Sequence, residues 1–169
     1  MTAADRAPGS PEPTEEVGSR GPILLLSGPN LNLLGQRQPD IYGRQTLADH
    51  EEVARRAAAA GGYRLESLQS DHEGELVAAI HAARGRCVGV IINAGALSHS
   101  SWSLHDALAA FDGPSVELHL SNPAAREPFR HVSVLGPVVS GSVAGFGGLG
   151  YQLAVEAILR LVGPGGDRP

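Results

Sequence analysis

Short apolar runs alternate along this chain with longer segments in which apolar residues recur at helical spacing. The apolar runs cover residues 23–26, 63–69, 88–92, 116–119 and 142–145, and the helical segments cover residues 46–60, 73–84, 103–111 and 151–161. Near-continuous apolar runs are typical of strands that are buried on both faces of a parallel sheet. Strands that alternate with helices predict right-handed crossovers onto both faces. The pattern therefore predicts an α/β fold, a flavodoxin-like three-layer sandwich with a five-stranded parallel sheet of order 2-1-3-4-5.

Local signals set the boundaries of this fold. Thr46 followed by Asp49 resembles a capping box at the start of the first helix, and Gly61 with Gly62 ends that helix. Residues 1–22 contain four prolines and four acids but no aromatic residue, so they cannot bury enough apolar surface to offset their ordering entropy. We predict a disordered N-terminal tail over residues 1–22, a single domain over residues 23–162 and a frayed C-terminus over residues 163–169.

The chain contains thirteen arginines and no lysine. This excludes mechanisms that need a lysine amine, such as a Schiff base, a pyridoxal-phosphate lysine or a phosphate-loop lysine. The net charge of −5 argues against a nucleic acid partner, and no apolar run approaches the roughly 20 residues of a membrane span. The single cysteine excludes a disulfide within the chain and suits a reducing compartment. We predict a cytoplasmic protein that binds neither nucleic acid nor membrane.

Polar side chains follow the ends of three predicted strands. They are Asn30, Asn32, Arg37 and Tyr42 after the first strand, Asn93, Ser98 and His99 after the third, and His119, Ser121, Asn122, Arg126 and Arg130 at or after the end of the fourth. Because the carboxyl ends of parallel strands share one edge of a sheet, these groups are expected to meet where such folds bind ligands. Amide, imidazole and guanidinium groups with few carboxylates favour a small, hydroxylated, anionic ligand over a metal.

Two of these residues have partners that favour catalysis. A histidine inside an apolar strand is more often structural, but Glu117 and His119 point to the same side of a strand, so Glu117 can orient the ring of a general acid. Tyr42 is a base only as a phenolate, which Arg37 and Arg130 could stabilise. Lowering a tyrosine pKa by about 3 units requires about 4 kcal/mol of preferential stabilisation.

Two motif matches fail on their context. Residues 145–150 match G-x-G-x-x-G after a strand, but no further strand follows to complete a dinucleotide-binding unit. We interpret these glycines as a tight turn and close packing of the last helix. His50 and Glu51 begin a zinc-binding H-E-x-x-H motif, but Ala54 stands where its second histidine belongs.

Five segments carry a resemblance to a known family. They read GPNLNLLGQRQPDIYG, QSDHEGELVAAIH, INAGALSHSSWSLHDAL, ELHLSN and REPFRHVS, in this order between residues 23 and 161. Together they resemble the type II 3-dehydroquinate dehydratases. The resemblance implies a flavodoxin-like subunit, trimers assembled into a dodecamer, and no metal or organic cofactor. The reaction it implies is the anti elimination of water from 3-dehydroquinate through an enolate, giving 3-dehydroshikimate in the shikimate pathway of aromatic amino acid biosynthesis.

The resemblance also implies a role for individual residues. Tyr42 removes a proton from C2, Arg37 supports the phenolate and the transition state, and Asn30 holds a water near the enolate oxygen. His119, oriented by Glu117, protonates the departing C1 hydroxyl. Substrate binding falls on Asn93, His99, Asp106, Leu120, Ser121 and Arg130. Of these, Leu120 and Ser121 contribute mainly backbone N–H groups, and Asp106 reaches the site of a neighbouring subunit.

A few residues depart from the family pattern, and two other functions stay open. Ser27 and Asp71 stand where many relatives have asparagine, and Trp102 is unusually large for its place. The first alternative, a flavodoxin-like module that binds a nucleotide or flavin, predicts a phosphate loop rich in glycine or hydroxyl groups after the first strand. The second is a scaffold subunit without activity, against which the retained site residues argue. A second enzyme type performs the same dehydration through a lysine imine, a route closed to a chain without lysine.

Overall fold

The computed structural model describes residues 20–36 and 44–163, and its centre is one five-stranded parallel sheet. The strands are β1 Ile23–Ser27, β2 Leu65–Gln69, β3 Gly89–Asn93, β4 Ser115–His119 and β5 Gly141–Ala144. They lie in the order β2-β1-β3-β4-β5, with Ile23 opposite Leu65 on one side and Gly89 on the other. This order confirms the predicted fold class and topology.

Four helices cover the two faces of the sheet. They are α1 Leu47–Ala60, α2 Glu73–Ala83, α3 Trp102–Ala109 and α4 Leu149–Val162. Alternate residues of β1 enter two separate cores: Ile23 and Leu25 pack with residues of α1 and α4, whereas Leu24 and Leu26 pack with residues of α2 and α3. Burial on both faces explains why this strand is apolar at successive positions. The result is the predicted three-layer sandwich.

The ends of α1 show one correct boundary and one shifted boundary. Thr46 Oγ1 accepts the Asp49 N–H at 3.2 Å, and the Asp49 carboxylate accepts the Thr46 N–H at 2.8 Å, which is the predicted capping box. At the other end, the Tyr63 N–H donates to the Ala58 carbonyl and Gly62 has φ +81°. Tyr63 thus belongs to the turn that ends the helix, so β2 begins at Leu65 instead of the predicted residue 63.

Of the glycines in residues 145–150, Gly145, Gly147 and Gly148 lie in the turn between β5 and α4, and Gly150 lies in the first turn of α4. Gly145 and Gly147 have φ of +88° and +55°, which residues with a side chain rarely adopt. A Cβ on Gly150 would lie 2.9 Å from Leu118 Cδ1, so this glycine lets α4 pack closely on β4. Both observations agree with a tight turn and close helix packing.

Short 3-10 helices occupy much of what the sequence predicts as irregular. They cover Leu31–Leu33, Gly95–His99, Pro123–Ala125, Pro128–Arg130 and Gly136–Val138. The segment after β1 was expected to be a polar loop, but Leu31 and Leu34 are buried in the core, which fixes the polar residues between them and the strand. Within residues 20–36 and 44–163, no helix combines the length and apolar character that a membrane crossing requires.

The predicted terminal segments lie almost wholly outside the described residues. Of the predicted tail, only residues 20–22 are described. There the Pro22 carbonyl accepts the Val88 N–H at 2.9 Å and Arg20 donates to the Tyr63 hydroxyl. Of the predicted frayed C-terminus, only Gly163 is described, and its N–H donates to the Leu159 carbonyl.

Two glycines provide a paired test of this packing. A Cβ on Gly28 would lie 2.5 Å from the Ala94 carbonyl oxygen, whereas a Cβ on Gly74 in α2 would meet nothing within 4 Å. Gly28→Ala is expected to lower the free energy of unfolding by about 2 kcal/mol, because the chain segments that follow β1 and β3 must move apart to make room for the added methyl group. Gly74→Ala is expected to raise it by up to about 1 kcal/mol, because alanine favours the helix. Urea unfolding followed by circular dichroism at one protein concentration measures both, and equal shifts would contradict the prediction.

His50 is a buried titratable group in the core between α1 and α4. Its side chain is 1% exposed, and its ring stacks on Tyr151 with centroids 4.9 Å apart and planes 3° apart. Neither ring nitrogen has a hydrogen-bond partner within the described chain. Burial lowers the pKa of His50, and the nearby Asp49 carboxylate offsets only part of that effect. The neutral ring is therefore the form that fits this core.

His50 should make the fold sensitive to mild acid. Because its folded-state pKa lies below the ordinary value of 6.5, its neutral form is compatible with the fold above pH 6.5, and stability is lost as the pH falls through the lowered pKa. The loss approaches about 1.4 kcal/mol per pH unit between the folded and unfolded pKa values. His50→Leu should flatten the dependence of the unfolding free energy on pH below pH 6.5. A His50→Leu protein with the same acid dependence as the parent would disprove this assignment.

Candidate active site

A cavity of about 240 Å³ opens at the carboxyl edge of the sheet, beside the ends of β1, β3 and β4. Residues predicted for the site that line it are Asn30, Asn93, His99, His119, Leu120, Ser121 and Arg130. Arg126 and Glu127 line it as well. The structure thus brings together residues that are up to 100 positions apart in the chain, as the parallel topology predicts.

Of the predicted site residues that the structure describes, two do not line this cavity. Glu117 is buried beneath His119. Asp106 is exposed on α3 and is not among the residues around the cavity. Arg37 and Tyr42 lie outside the described residues.

A buried carboxylate holds the ring of His119. The Nε2–H of His119 donates to Glu117 Oε1 at 2.9 Å, and the Glu117 residue is 1% exposed. Ser133 Oγ lies 2.7 Å and 2.9 Å from the two carboxylate oxygens. Burial acts to raise the pKa of Glu117, but the hydrogen bonds from His119 and Ser133 outweigh it, so the pKa lies below its ordinary value. Glu117 is therefore a carboxylate, and Nδ1 is the nitrogen of His119 available to a ligand.

The amide of Asn30 is presented from a strained backbone position. Asn30 has φ +66°, a left-handed conformation that asparagine tolerates better than most residues. Its N–H donates to Asp71 Oδ1 at 2.9 Å, and Gln69 Nε2 donates to the same oxygen at 3.1 Å. The end of β2 therefore fixes the loop after β1, and the side chain of Asn30 is left to face the cavity mouth.

Asn93 is the last residue of β3 and lies where the chain segments after β1 and β3 come close together. It is 3% exposed, and its Oδ1 accepts the Gly95 N–H at 3.3 Å. Its carbonyl accepts the Gly28 N–H at 2.8 Å, which joins the segment after β1 to the segment after β3. The acceptor of the side-chain amide is thus engaged locally, and its NH₂ group remains to donate toward the cavity or the buried Tyr151 hydroxyl.

His99 also lines the cavity. Its Nδ1–H donates to the Val132 carbonyl at 2.8 Å, which leaves Nε2 as the acceptor of a neutral ring. The ring lies nearly parallel to that of His119, with centroids 6.3 Å apart, and the edge of Phe129 approaches it at 6.4 Å. Two imidazoles therefore face the same cavity in fixed orientations.

Two arginines give the cavity its positive charge. Arg126 follows the 3-10 helix Pro123–Ala125 and donates to Ser121 Oγ at 3.2 Å. Arg130 ends the next 3-10 helix, Pro128–Arg130, and its Nε lies 2.9 Å from Glu127 Oε2. Glu127 is half exposed and also lies 3.4 Å from Arg126, so it orients both guanidinium groups with little loss of their field.

Leu120 contributes to the cavity through its backbone. Its side chain is 4% exposed and packs in the core between the sheet and the helices α1 and α4. Its carbonyl accepts the Gly147 N–H at 2.9 Å. A ligand at this strand end therefore meets main-chain groups of Leu120 and the hydroxyl of Ser121, not an apolar side chain.

The arrangement can bind an anion and transfer a proton. Arg126 and Arg130 supply permanent positive charge, and the His119–Glu117 pair supplies an oriented proton donor. Within the described parts of the chain, no group of three or more histidine, cysteine, aspartate or glutamate side chains is placed to hold a metal ion.

Sequence reasoning missed three supporting residues. Ser133 binds both oxygens of Glu117, Asp71 holds the backbone of Asn30, and Glu127 pairs with Arg130. Asp71 was noted only as a departure from a family pattern, and Ser133 was not singled out. Their partners lie 41 and 16 residues away, so no local spacing signals the contact.

Comparisons with known proteins show the family and agree with the fold. The family described as "Dehydroquinase class II" matches residues 21–159. The 3-dehydroquinate dehydratase of Halalkalibacterium halodurans is 50% identical over 82% of this chain and 95% of its own length. The enzyme of that name from Streptomyces coelicolor is 52% identical over 89% of this chain and 96% of its own. The crystal structure of the type II dehydroquinase from Propionibacterium acnes superposes with a TM-score of 0.80 at 39% identity, covering 84% of this chain and 98% of the other. The chain belongs to the class II dehydroquinase family.

Proposed function

We propose that this protein is a 3-dehydroquinate dehydratase, a hydro-lyase that eliminates water from 3-dehydroquinate to give 3-dehydroshikimate in the shikimate pathway. Family membership supports the reaction. The observation that carries the proposal is the pair of His119 and the buried carboxylate Glu117 on the wall of a cavity that also holds two arginines. The pair supplies a proton, and the arginines attract a carboxylate substrate.

The elimination needs a base for the C2 proton and an acid for the C1 hydroxyl. In the proposed sequence, the Tyr42 phenolate takes the C2 proton, and the electron pair of the broken C–H bond forms an enolate at the C3 carbonyl. The enolate then expels the C1 hydroxyl, which leaves as water with the proton of His119. Glu117 keeps the imidazole oriented for this transfer and stabilises its positive charge.

Two further groups serve the charge that develops. Arg37 stabilises the Tyr42 phenolate and the transition state as a permanent cation. Asn30 holds a water beside the enolate oxygen. The position of Asn30 at the cavity mouth, with its backbone held by Asp71, supports this role.

The remaining site residues bind the substrate. The backbone N–H groups of Leu120 and Ser121 bind its carboxylate, and Arg130 adds charge. The buried side chain of Leu120 supports this backbone role. Asn93 and His99 bind ring hydroxyl groups, for which amide and imidazole groups offer both donors and acceptors.

A nucleotide or flavin as the ligand has less support. The segment after β1 places Asn30 and a buried leucine at the cavity, and the glycines of residues 145–150 serve a turn and helix packing. The dehydratase is therefore the function that the site supports best.

Tyr42→Phe tests both the activity and the base. Purified protein mixed with 3-dehydroquinate should produce the ultraviolet absorbance of a conjugated enone, and Tyr42→Phe should lower kcat by about 10³-fold or more while substrate binding changes little. Tyr63→Phe is the matched control, because Tyr63 is 5% exposed and its hydroxyl meets Arg20 away from the cavity. It should keep the parental rate.

The two possible failures of this experiment are distinct. A parent protein that produces no enone at high enzyme concentration would refute the dehydratase and favour a scaffold subunit. An active parent with an equally active Tyr42→Phe variant would refute only the assignment of the base.

Asp106 suggests how the site is completed. It is exposed on α3 and lies apart from the cavity of its own chain. We propose that it reaches the site of a neighbouring subunit in a trimer, that four trimers form a dodecamer, and that the assembly works in the cytoplasm. A residue supplied by a neighbour would explain why a predicted binding residue lies on an outer helix.

Mixed oligomers test this arrangement. Asp106→Ala and Tyr42→Phe should each be nearly inactive alone. Refolded together in equal amounts, they should recover about one quarter of the parental activity, because a site with an intact Tyr42 can then receive Asp106 from its neighbour. Steady-state assays with sizing of the product check this. No recovery in mixed oligomers of the parental size, or full activity of Asp106→Ala alone, would contradict the proposal.

A further inference from the structure

The hydroxyl of Ser133 lies against the carboxylate behind the proposed general acid. Ser133 Oγ is 2.7 Å from Glu117 Oε1 and 2.9 Å from Oε2. The same oxygen accepts the N–H groups of Leu135 and Gly136, each at 3.1 Å. Ser133 does not line the cavity, and its hydroxyl contacts Glu117, so we expect it to act on the reaction through that carboxylate.

These contacts give the hydrogen-bond chain one direction. A hydroxyl has one proton and two acceptor lone pairs, and two backbone N–H groups occupy both lone pairs of Ser133. Its proton can therefore go only to Glu117, which must accept it as a carboxylate. Glu117 then accepts the Nε2–H of His119 as well. The Ser133 hydroxyl and the Nε2–H of His119 thus both donate to the carboxylate. In the neutral ring, this keeps the proton of His119 on Nε2.

The segment around Ser133 is held on both sides. The Val132 carbonyl accepts the Nδ1–H of His99 at 2.8 Å, and the Val134 N–H donates to the Ser98 carbonyl at 2.8 Å. The Val134 carbonyl accepts the Nδ1–H of His105 at 2.7 Å. Ser133 thus sits between two residues whose backbones are tied to the region from the end of β3 to α3, and it has little freedom to turn away from Glu117.

We propose that Ser133 is a positioning residue for the dehydration, which fixes Glu117 as an ionised acceptor and so fixes the ring of His119 for proton transfer. The proposal rests on the dehydratase function. It assigns a role to a residue that never touches the substrate.

The surroundings of Glu117 make this role measurable. His119 is the titratable group that faces the carboxylate, and Ser133 and the buried Ser98 are the polar side chains beside it. Burial works against the ionised form of Glu117, and the bonds from His119 and Ser133 restore it, so that its pKa is lowered. Removing the Ser133 bond should raise the pKa of Glu117. The acid limb of activity, where Glu117 takes up a proton, should then move to higher pH.

The central variant is Ser133→Ala, with three companions. It should lower kcat about tenfold, change KM little, and move the acid limb of the kcat profile upward. Ser133→Thr keeps the hydroxyl and should recover most of kcat and the parental acid limb. Ser133→Cys keeps the size but donates weakly, so it should lose activity in the same direction even if the alanine variant folds poorly. The control is Ser140→Ala, whose exposed hydroxyl also accepts a backbone N–H, that of Ser115, but lies away from Glu117; it should behave as the parent.

A double-variant cycle separates this role from general support of the fold. If Ser133 acts through Glu117, then Ser133→Ala should cause little further loss of kcat in a Glu117→Gln protein. Independent losses that multiply would overturn the proposal. So would parental kcat and pH dependence in both Ser133→Ala and Ser133→Cys. If the parent is active, these results refute the role of Ser133 alone, whereas an inactive parent refutes the dehydratase and this inference with it.

Discussion

The site depends on one buried charge, the carboxylate of Glu117. Moving an ion out of water costs several kcal/mol unless its partners replace the lost hydration. Here the partners are the His119 ring, from the same strand, and the Ser133 hydroxyl, from a segment that the chain reaches 16 residues later. Because these partners lower the pKa of Glu117 despite its burial, the carboxylate stays ionised, and the imidazole has a fixed acceptor. An unpaired glutamate at this depth would instead take up a proton and release the ring.

The sheet explains why this charge can be placed so accurately. Glu117 and His119 are two residues apart on β4, and β4 is paired on both sides, with β3 and with β5. Glu117 thus lies between two paired strands, whereas His119, at the end of β4, is paired with β5. The arginines have a different support, since Arg126 and Arg130 stand on short 3-10 helices and share the half-exposed Glu127. The His119–Glu117 pair is thus part of the sheet, and the positive charge of the cavity is carried by connecting segments.

Whether the sequence predicts an interaction depends on how far apart its two residues are along the chain. The capping box joins Thr46 and Asp49, which are three positions apart. The predicted strand order rests on the alternation of strands and helices, a pattern that repeats along the whole chain. Both could therefore be predicted. The start of β2 was predicted two residues early, because the apolar Tyr63 reads as strand although its N–H completes the turn after α1. The meeting of polar residues from several strand ends at one cavity was predictable from topology. The bonds of Ser133 to Glu117 and of Asp71 to Asn30 were not, because nothing local distinguishes these residues from other polar side chains on the surface.

The absence of lysine determines what the basic residues around this cavity can do. A guanidinium keeps its proton at any pH at which the protein is folded, so Arg126 and Arg130 can attract an anion but cannot exchange a proton with it. Glu127 forms ion pairs with both of them, and the Nδ1–H of His99 donates a hydrogen bond to the Val132 carbonyl. Of the described residues around the cavity, His119 is then the one with a proton-exchanging nitrogen toward the ligand and a buried counter-charge behind it. Among the described residues around the cavity, fixed positive charge and proton exchange are thus divided between the arginines and histidine, because this chain uses arginine and histidine but not lysine as its basic residues.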